Sequence, residues 1–411
     1  MATILLENAT LIDGTGADPK RGVSVLVEDG RIQSIFTDKS KRPKADKVID
    51  LSGMTLMPGL TDAHVHLGAL GVNSPRTQSP EDNLTSYVLD VVENIETALQ
   101  EGFTTVRDAG GLDPAFAFAV ESGHIKGPRI LPSGSFISQT GGHADFRDRF
   151  DDRPPRVVPG ILAGPVLCDG PDAVRAAARE QLRKGASQVK LMGSGGVVSP
   201  NDPLEGTQFT VDEMLAAVHE ARAVGTYVMA HCHTSPAVNN ALDAGIRSIE
   251  HGSILDEATA KRIVKEKAFM VPTIHIIEML GANSTAHGLS HYSLHKLDKV
   301  RSQLPLSVAL AAKTGVSLGS GSDFLGKKQS KRGLELVSKA TVLGEMAAIV
   351  SATGTNAHLF NMEDRIGVVK EGRDADLIAV AGDPLSNIGV LVDAANVKLV
   401  VKSGTIVKNT L

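Results

Sequence analysis

His64-Val65-His66 closes an apolar run near the start of the chain. In an extended strand, residues i and i+2 project to one face, so both imidazoles can grip a single divalent cation. Other runs carry comparable groups. Lys190 lies among Val189, Leu191 and Met192. One later run ends His231-Cys232-His233, the next Glu250-His251-Gly252, and the last Gly319-Ser320-Gly321-Ser322-Asp323. A lone His-x-His fits a partly exposed strand pair as well as it fits a metal. Several separate strands, each carrying a ligand type, are hard to explain without a shared site. Lys190 is out of place for a related reason, because an ammonium in an apolar strand is costly unless neutralised or paired. Deprotonation and reaction with carbon dioxide would make it a carbamate, an anion able to bridge two cations. A lysine that snorkels to solvent or pairs with an aspartate is the alternative.

Such side chains need a scaffold that gathers strand ends. Apolar runs at 55–67, 103–109, 128–134, 188–193, 226–233, 248–252, 269–274 and 316–323 alternate with helical patterns at 82–100, 172–183 and 212–223. That is about the number of strands a closed (β/α)8 barrel requires. Thr210 and Glu213 have the spacing of a capping box. In a barrel, the C-terminal strand ends form the catalytic face, and the polar residues named above sit there. The irregular stretch 138–170 holds Gly141-Gly142-His143, Arg147, Arg149, Arg153 and Arg156, and is expected over the mouth. Residues 1–54 and 361–411 read as short strands between turn signals. Each end is too short for a core, so the two are expected to combine. The predicted fold is α/β: a (β/α)8 TIM barrel over 55–360, with a small β-sandwich built from both chain ends, 1–54 and 361–411.

Composition narrows the partners. Across 411 residues, Lys plus Arg number 42 and Asp plus Glu 47, a net charge of −5, which gives no basic field for nucleic acid. The 2 cysteines cannot build a disulfide framework. The start lacks the pattern of a signal peptide, and no apolar run reaches the roughly 18 residues of a spanning helix. A cytoplasmic protein without membrane or nucleic-acid partners is expected, acting on a small-molecule substrate.

The set resembles the amidohydrolase superfamily, binuclear-metal subtype. The resemblance rests on His64 and His66 after Pro58-Gly59-Leu60-Thr61-Asp62, on Lys190, His231, His251 and Asp323, and on the closing Gly372-Arg373-Asp374-Ala375-Asp376-Leu377. It implies two divalent ions. His64, His66 and Asp323 would hold the first, His231 and His251 the second, and a carboxylated Lys190 both. Zinc suits these ligands best, with Mn, Co or Fe as alternatives. A hydroxide bridging the ions would attack a polarised carbonyl, while Asp323 takes its proton and passes it to the leaving amine.

Thr140-Gly141-Gly142-His143, Lys190-Leu191-Met192-Gly193-Ser194-Gly195-Gly196 and Ser248-Ile249-Glu250-His251-Gly252 are similar to one subgroup. It contains Xaa-Pro dipeptidases, N-acyl amino-acid carboxypeptidases and ochratoxin-hydrolysing amidohydrolases. The expected reaction is therefore cleavage of an amide, in a dipeptide or N-acyl amino acid, to release a C-terminal amino acid, ochratoxin A being one such amide. Hydrolysis or deamination of a cyclic amide or heterocycle, as in imidazolonepropionase-like relatives, is the rival. The strand lysine argues against the single-metal deaminases, which lack it. His143 and His233 are candidates to contact the substrate, against ordinary packing under the loops. His275 is a weaker candidate. The loop arginines can hold a substrate carboxylate or remain solvated. Cys232 should be core, and Asp108 should organise loops. The resemblance also implies a homo-oligomer, an octamer among the possible sizes.

Overall fold

A computed structural model describes residues 3–38, 42–70, 83–147, 149–199, 201–282 and 289–411. The strands run in chain order as β1 (Ile4–Leu11), β2 (Lys20–Glu28), β3 (Arg31–Phe36), β4 (Lys47–Asp50), β5 (Met54–Pro58), β6 (Leu60–Val65), β7 (Phe103–Asp108), β8 (Arg129–Pro132) and β9 (Ile137–Ser138). After these come β10 (Val166–Leu167), β11 (Val189–Met192), β12 (Val228–Thr234), β13 (Ser248–Ile254), β14 (Phe269–Val271) and β15 (Ser317–Leu318). β16 (Leu377–Ala381), β17 (Val397–Lys402) and β18 (Thr405–Asn409) close the chain.

Both chain ends enter one mixed sheet, ordered β18-β17-β16-β5-β1-β2-β3 with β4 beside β1. The stitch is antiparallel pairing of β16 on β5, from Leu377 opposite Pro58 to Ala381 opposite Met54. Alternating apolar residues of both ends share one core, among them Leu6, Val25, Ile32, Leu56, Leu377, Leu399 and Val401. Neither end has enough apolar surface to do this alone.

The run 55–67, continuous in sequence, is two strands in two sheets. The break falls at Gly59, where a Cβ would lie 2.2 Å from Thr104 Oγ1. Only glycine permits that approach, and the chain leaves the first sheet there as β5 and enters another as β6.

The candidate site side chains come from two further sheets. One is parallel and runs β10-β9-β11-β12-β13-β14-β15; the other is β6-β7-β8. Backbone hydrogen bonds join them at both edges. Ala63 N–H donates to Ser320 C=O (2.8 Å), Asp323 N–H to His64 C=O (2.7 Å), and Ser187 N–H to Pro132 C=O (2.7 Å). The helices between are α1 (Leu84–Gln100), α2 (Pro114–Glu121), α3 (Pro171–Arg183), α4 (Val211–Ala223), α5 (Ser235–Asp243), α6 (Glu257–Lys265), α7 (Ile274–Ala282) and α8 (His291–Thr314). The three helical patterns expected from sequence correspond to α1, α3 and α4, with Asp82 outside the described residues. The last two apolar runs yield only the short strands β14 and β15, and α7 begins at Ile274, inside the seventh run.

The 138–170 excursion leaves from β9 and returns as β10 directly beside it, with Val166 opposite Ile137 and Leu167 opposite Ser138. At its base Thr140 donates from N–H and Oγ1 to the Asp169 carboxylate, at 3.0 and 2.7 Å. The chain divides into two compact units, one of residues 1–62, 96–106 and 330–411, the other of 63–95 and 107–329. The candidate site lies wholly in the second. Among the described residues, no helix is long and apolar enough to cross a membrane.

α4 carries the expected capping box. Glu213 N–H donates to Thr210 Oγ1 (3.3 Å), and Thr210 N–H donates to Glu213 Oε2 (2.7 Å). Glu213 Oε1 also accepts from Gly170 N–H at the start of α3 (2.7 Å). Thr210→Ala should therefore cost about 1 kcal/mol. Glu213→Ala should cost more, because two backbone donors lose their acceptor. Urea-unfolding midpoints of the two variants check the order.

Candidate active site

β6 delivers His64 and His66, and hydrogen bonds on the far side of each ring set which nitrogen faces inward. His64 Nδ1 lies 2.6 Å from Glu250 Oε2, and His66 Nδ1 lies 2.8 Å from the Gly110 carbonyl oxygen. A carboxylate and a carbonyl only accept, so both Nδ1 atoms carry a proton, and in the neutral rings both Nε2 atoms present lone pairs. Those Nε2 atoms are 3.2 Å apart. Asp323 Oδ1 stands 3.2 Å from His66 Nε2 and 3.5 Å from His64 Nε2. Three acceptors face one another across a buried gap, an arrangement that a cation resolves. One ligand atom each from His64, His251 and Asp323 lies within 4.8 Å of the others, a group able to hold a metal ion.

Bringing these residues together requires unusual backbone. Gly321 has room for no side chain, since a Cβ would lie 2.5 Å from His64 Cβ. Asp323 itself has φ 55°. Along β13, Ser248 and Glu250 face the Arg107 and His64 side chains, so strict alternation would turn His251 away. One extra β13 residue between Cys232 opposite His251 and Thr234 opposite Ile254 breaks the alternation. His251 takes φ 73° and Gly252 φ 58°. The His251 ring then lies 4.5 Å from that of His231 and 5.0 Å from those of His64 and His233. Its Nδ1 bonds Thr273 Oγ1 at 2.8 Å, and Thr273 is itself held at φ 49°, rare for a β-branched residue.

Lys190, on β11, is fully buried and lines the same cavity. Burial pushes its amine down to about 8, the Arg107 charge adds to this, and Glu250 and Asp323 oppose it. Burial, with the Lys190 charge second, also pulls His64 down to about 4. Cys232 is buried with its thiol pushed up to about 12, as a core residue should be. Asp108 accepts from the Leu67 and Gly110 N–H groups, both at 2.9 Å, and so organises the turns after β6 and β7.

His143 and His233 flank the cluster. The His143 ring stacks on that of His231 at 4.2 Å, and its Nδ1 bonds Ser199 Oγ at 2.5 Å, with Asp202 Oδ2 3.6 Å away. Gly196 makes room for it, since a Cβ there would lie 2.2 Å from the ring. The segment behind is tied to α8 by the buried Lys296, whose ammonium donates to the Ser199 and Asp202 carbonyls at 2.8 and 3.1 Å. His233 Nδ1 bonds Ser253 Oγ at 2.9 Å. His275 is in the first turn of α7, 3.2 Å from Glu278, and is not among the described residues that line the cavity.

Sequence reasoning did not assign the network behind His64. Arg107, fully buried, donates to Glu250 Oε1 (2.9 Å), Ser248 Oγ (3.1 Å) and the Ala63 carbonyl (2.7 Å). Burial disfavours a charged Glu250, but the Arg107 guanidinium wins and holds its carboxyl down to about 2. The available signal was two opposite charges, Arg107 and Glu250, each inside an apolar strand run. Glu250→Gln strands a buried guanidinium, and should cost roughly 3–5 kcal/mol. A urea midpoint unchanged from the parent would contradict this.

Above the cluster opens a cavity that His64, His66, His231, His251 and Asp323 line at its base. Phe136, Phe146, Leu162, Ala163 and Pro165 form one wall, and Ile276, Ile277 and Leu280 of α7 line it as well. Histidine and carboxylate groups able to hold a metal, at the floor of an apolar pocket, suit polarisation of a carbonyl in a site that limits water.

A profile of the amidohydrolase family matches residues 55–407. The chain is 32% identical to an ochratoxinase of Aspergillus niger over 417 residues, 97% of this chain and 85% of that protein. A crystal structure of a prolidase complexed with N-methylphosphonate-L-proline superposes with a TM-score of 0.91 at 38% identity, covering 99% of this chain and all of that one. A Xaa-Pro dipeptidase with methionine bound in its active site gives a TM-score of 0.88 at 30% identity, over 99% of this chain and 100% of the other. These likenesses imply the TIM-barrel fold of such enzymes, and the residues gathered on its strands accord with them. The chain belongs to the amidohydrolase family and is a hydrolase of carbon–nitrogen bonds.

Proposed function

We propose that the chain hydrolyses the amide of a dipeptide or N-acyl amino acid, releasing a C-terminal amino acid at a pair of divalent cations. The observation that carries this is the set of facing lone pairs on His64, His66 and Asp323, with His231 and His251 within ring contact. His64, His66 and Asp323 would hold one ion, His231 and His251 the other, and Lys190, as its carbamate, both. Zinc fits the nitrogen and oxygen donors best. Bound there, the ions would supply a bridging hydroxide at neutral pH and a polarised carbonyl.

The protein's own groups do the rest. Asp323, on the rim of the cluster, takes a proton on its carboxylate and hands it to the departing amine. His143 and His233, each fixed through Nδ1 by a serine hydroxyl, keep Nε2 as the ring atom offered to the substrate. The apolar walls exclude competing water. The Aspergillus relative is named an ochratoxinase, and ochratoxin A, an amide of this class, is included among the proposed substrates. The same reading takes 55–360 as one closed (β/α)8 barrel, supported by the hydrogen bonds that join its sheets at both edges. It takes 1–54 and 361–411 as a β-sandwich, supported by their common sheet and core. A cytoplasmic homo-oligomer completes it.

Zinc-loaded enzyme incubated with a library of N-acyl amino acids and dipeptides should release the C-terminal amino acid. Release of ammonia from cyclic amides instead would favour the heterocycle reading. A chelator should abolish turnover. Lys190→Ala should lower the metal content measured by elemental analysis and cut kcat/KM by at least about 100-fold. Full metal loading and activity in that variant would end the binuclear account.

A further inference from the structure

The ring of His143 faces two groups of different kinds. Its Nδ1 lies 2.5 Å from Ser199 Oγ and 3.6 Å from Asp202 Oδ2. A hydroxyl gives or takes a proton, so Ser199 alone serves either tautomer of the ring. An ionised carboxylate does not. It repels a lone pair on Nδ1 and attracts a proton there. Asp202 is 2% exposed, and burial works against its charge, but His143, Ser199 and the Lys296 ammonium hold its carboxyl well below the usual carboxylate range. Lys296 Nζ, itself buried on α8, stands 3.9 Å from Asp202 Oδ1. The same carboxylate accepts from Gly196 N–H at 2.8 Å and from Gln208 Nε2 at 3.5 Å. Gln208 Oε1 in turn accepts from His143 N–H (2.8 Å), so Asp202 is linked to both the ring and the backbone of His143. Asp202 Oδ1 is buried and accepts no hydrogen bond. That is a cost to folding, and it points to a task other than stability.

Building on amide hydrolysis at this site, with His143 at the substrate, we propose that Asp202 is a positioning residue that fixes the proton of His143 on Nδ1. In the neutral ring, Nε2 then meets the substrate as a hydrogen-bond acceptor. Lys296 supplies the countercharge that lets a buried carboxylate stay ionised, and it ties the Ser199 and Asp202 carbonyls to α8. His143 lines the cavity and Asp202 is not among the described residues that do, so Asp202 acts through the ring.

The test uses the full chain loaded with zinc, as wild type, His143→Ala, Asp202→Asn and the double variant, with N-acetyl-L-phenylalanine as the probe. In protein carrying isotope-labelled histidine nitrogens, the solid-state NMR signals that vanish in His143→Ala belong to His143. They should show a protonated Nδ1 in the wild type, and Asp202→Asn should add a signal from unprotonated Nδ1. Asp202→Asn should lower kcat/KM by roughly 10–100-fold, the range of a lost charge-assisted contact, with metal content by elemental analysis unchanged. His143→Ala should lower it by at least as much. In the His143→Ala background, Asp202→Asn should change kcat/KM by less than about 2-fold, because nothing is left for Asp202 to act on. Asp202→Asn/Lys296→Met removes both buried charges together, should show the same added signal, and replaces Asp202→Asn if that variant does not fold. Unprotonated Nδ1 in the wild type, an unchanged spectrum in both Asp202 variants, full activity of His143→Ala, equal losses in the two backgrounds, or a loss of metal in Asp202→Asn each overturns the assignment and leaves amide hydrolysis standing. No release of phenylalanine by the wild type, from this probe or from L-alanyl-L-phenylalanine, overturns the hydrolysis reading and this assignment with it.

Discussion

Two imidazoles that have both committed their Nδ1 protons outward must meet inward as lone pairs. That constraint, set by Glu250 behind His64 and the Gly110 carbonyl behind His66, governs the rest of the active site. With Asp323 alongside, the centre of the cluster is a concentration of electron pairs that only positive charge can relieve. The backbone accepts strain to build it. His251, Thr273 and Asp323 all sit at positive φ, each at an expected cost of about 1–3 kcal/mol. Such a cost persists only where surrounding structure determines the conformation, here β13's extra residue and the contact of Gly321 with His64.

Charge is layered around this centre. Beneath it, Arg107 and Glu250 form a buried pair whose anionic half orients a histidine. Within it, Lys190 is pressed toward neutrality by burial, the state an amine needs to react with carbon dioxide. Above it, the cavity walls are mostly apolar, which strengthens every electrostatic interaction on the floor. Each layer depends on the one below. Without the buried guanidinium, Glu250 would tend to protonate, and the proton on His64 Nδ1 would lose its acceptor.

Much of this was legible in the amino-acid sequence because strands have period two and barrels display their strand ends. His64, His66, His231 and Asp323 stand out for that reason, and the Thr210–Glu213 cap is a local pattern. His251 was legible only as a motif. By alternation it should face away, and no propensity rule announces a bulge that turns it back. The division of 55–67 at Gly59 was hidden because steric exclusion by Thr104, distant in sequence, decides it. The Arg107–Glu250 pair was hidden in the same way, since its two members lie 143 residues apart.

The neighbouring roots of the long excursion have an evolutionary consequence. Because β9 and β10 pair in register, the long excursion between them leaves and rejoins the scaffold at neighbouring points. Insertions and replacements in its stretches away from His143 can reshape what the cavity admits while the strand-borne histidines and Asp323 stay in place. A lineage built this way can change its diet while its chemistry stays constant.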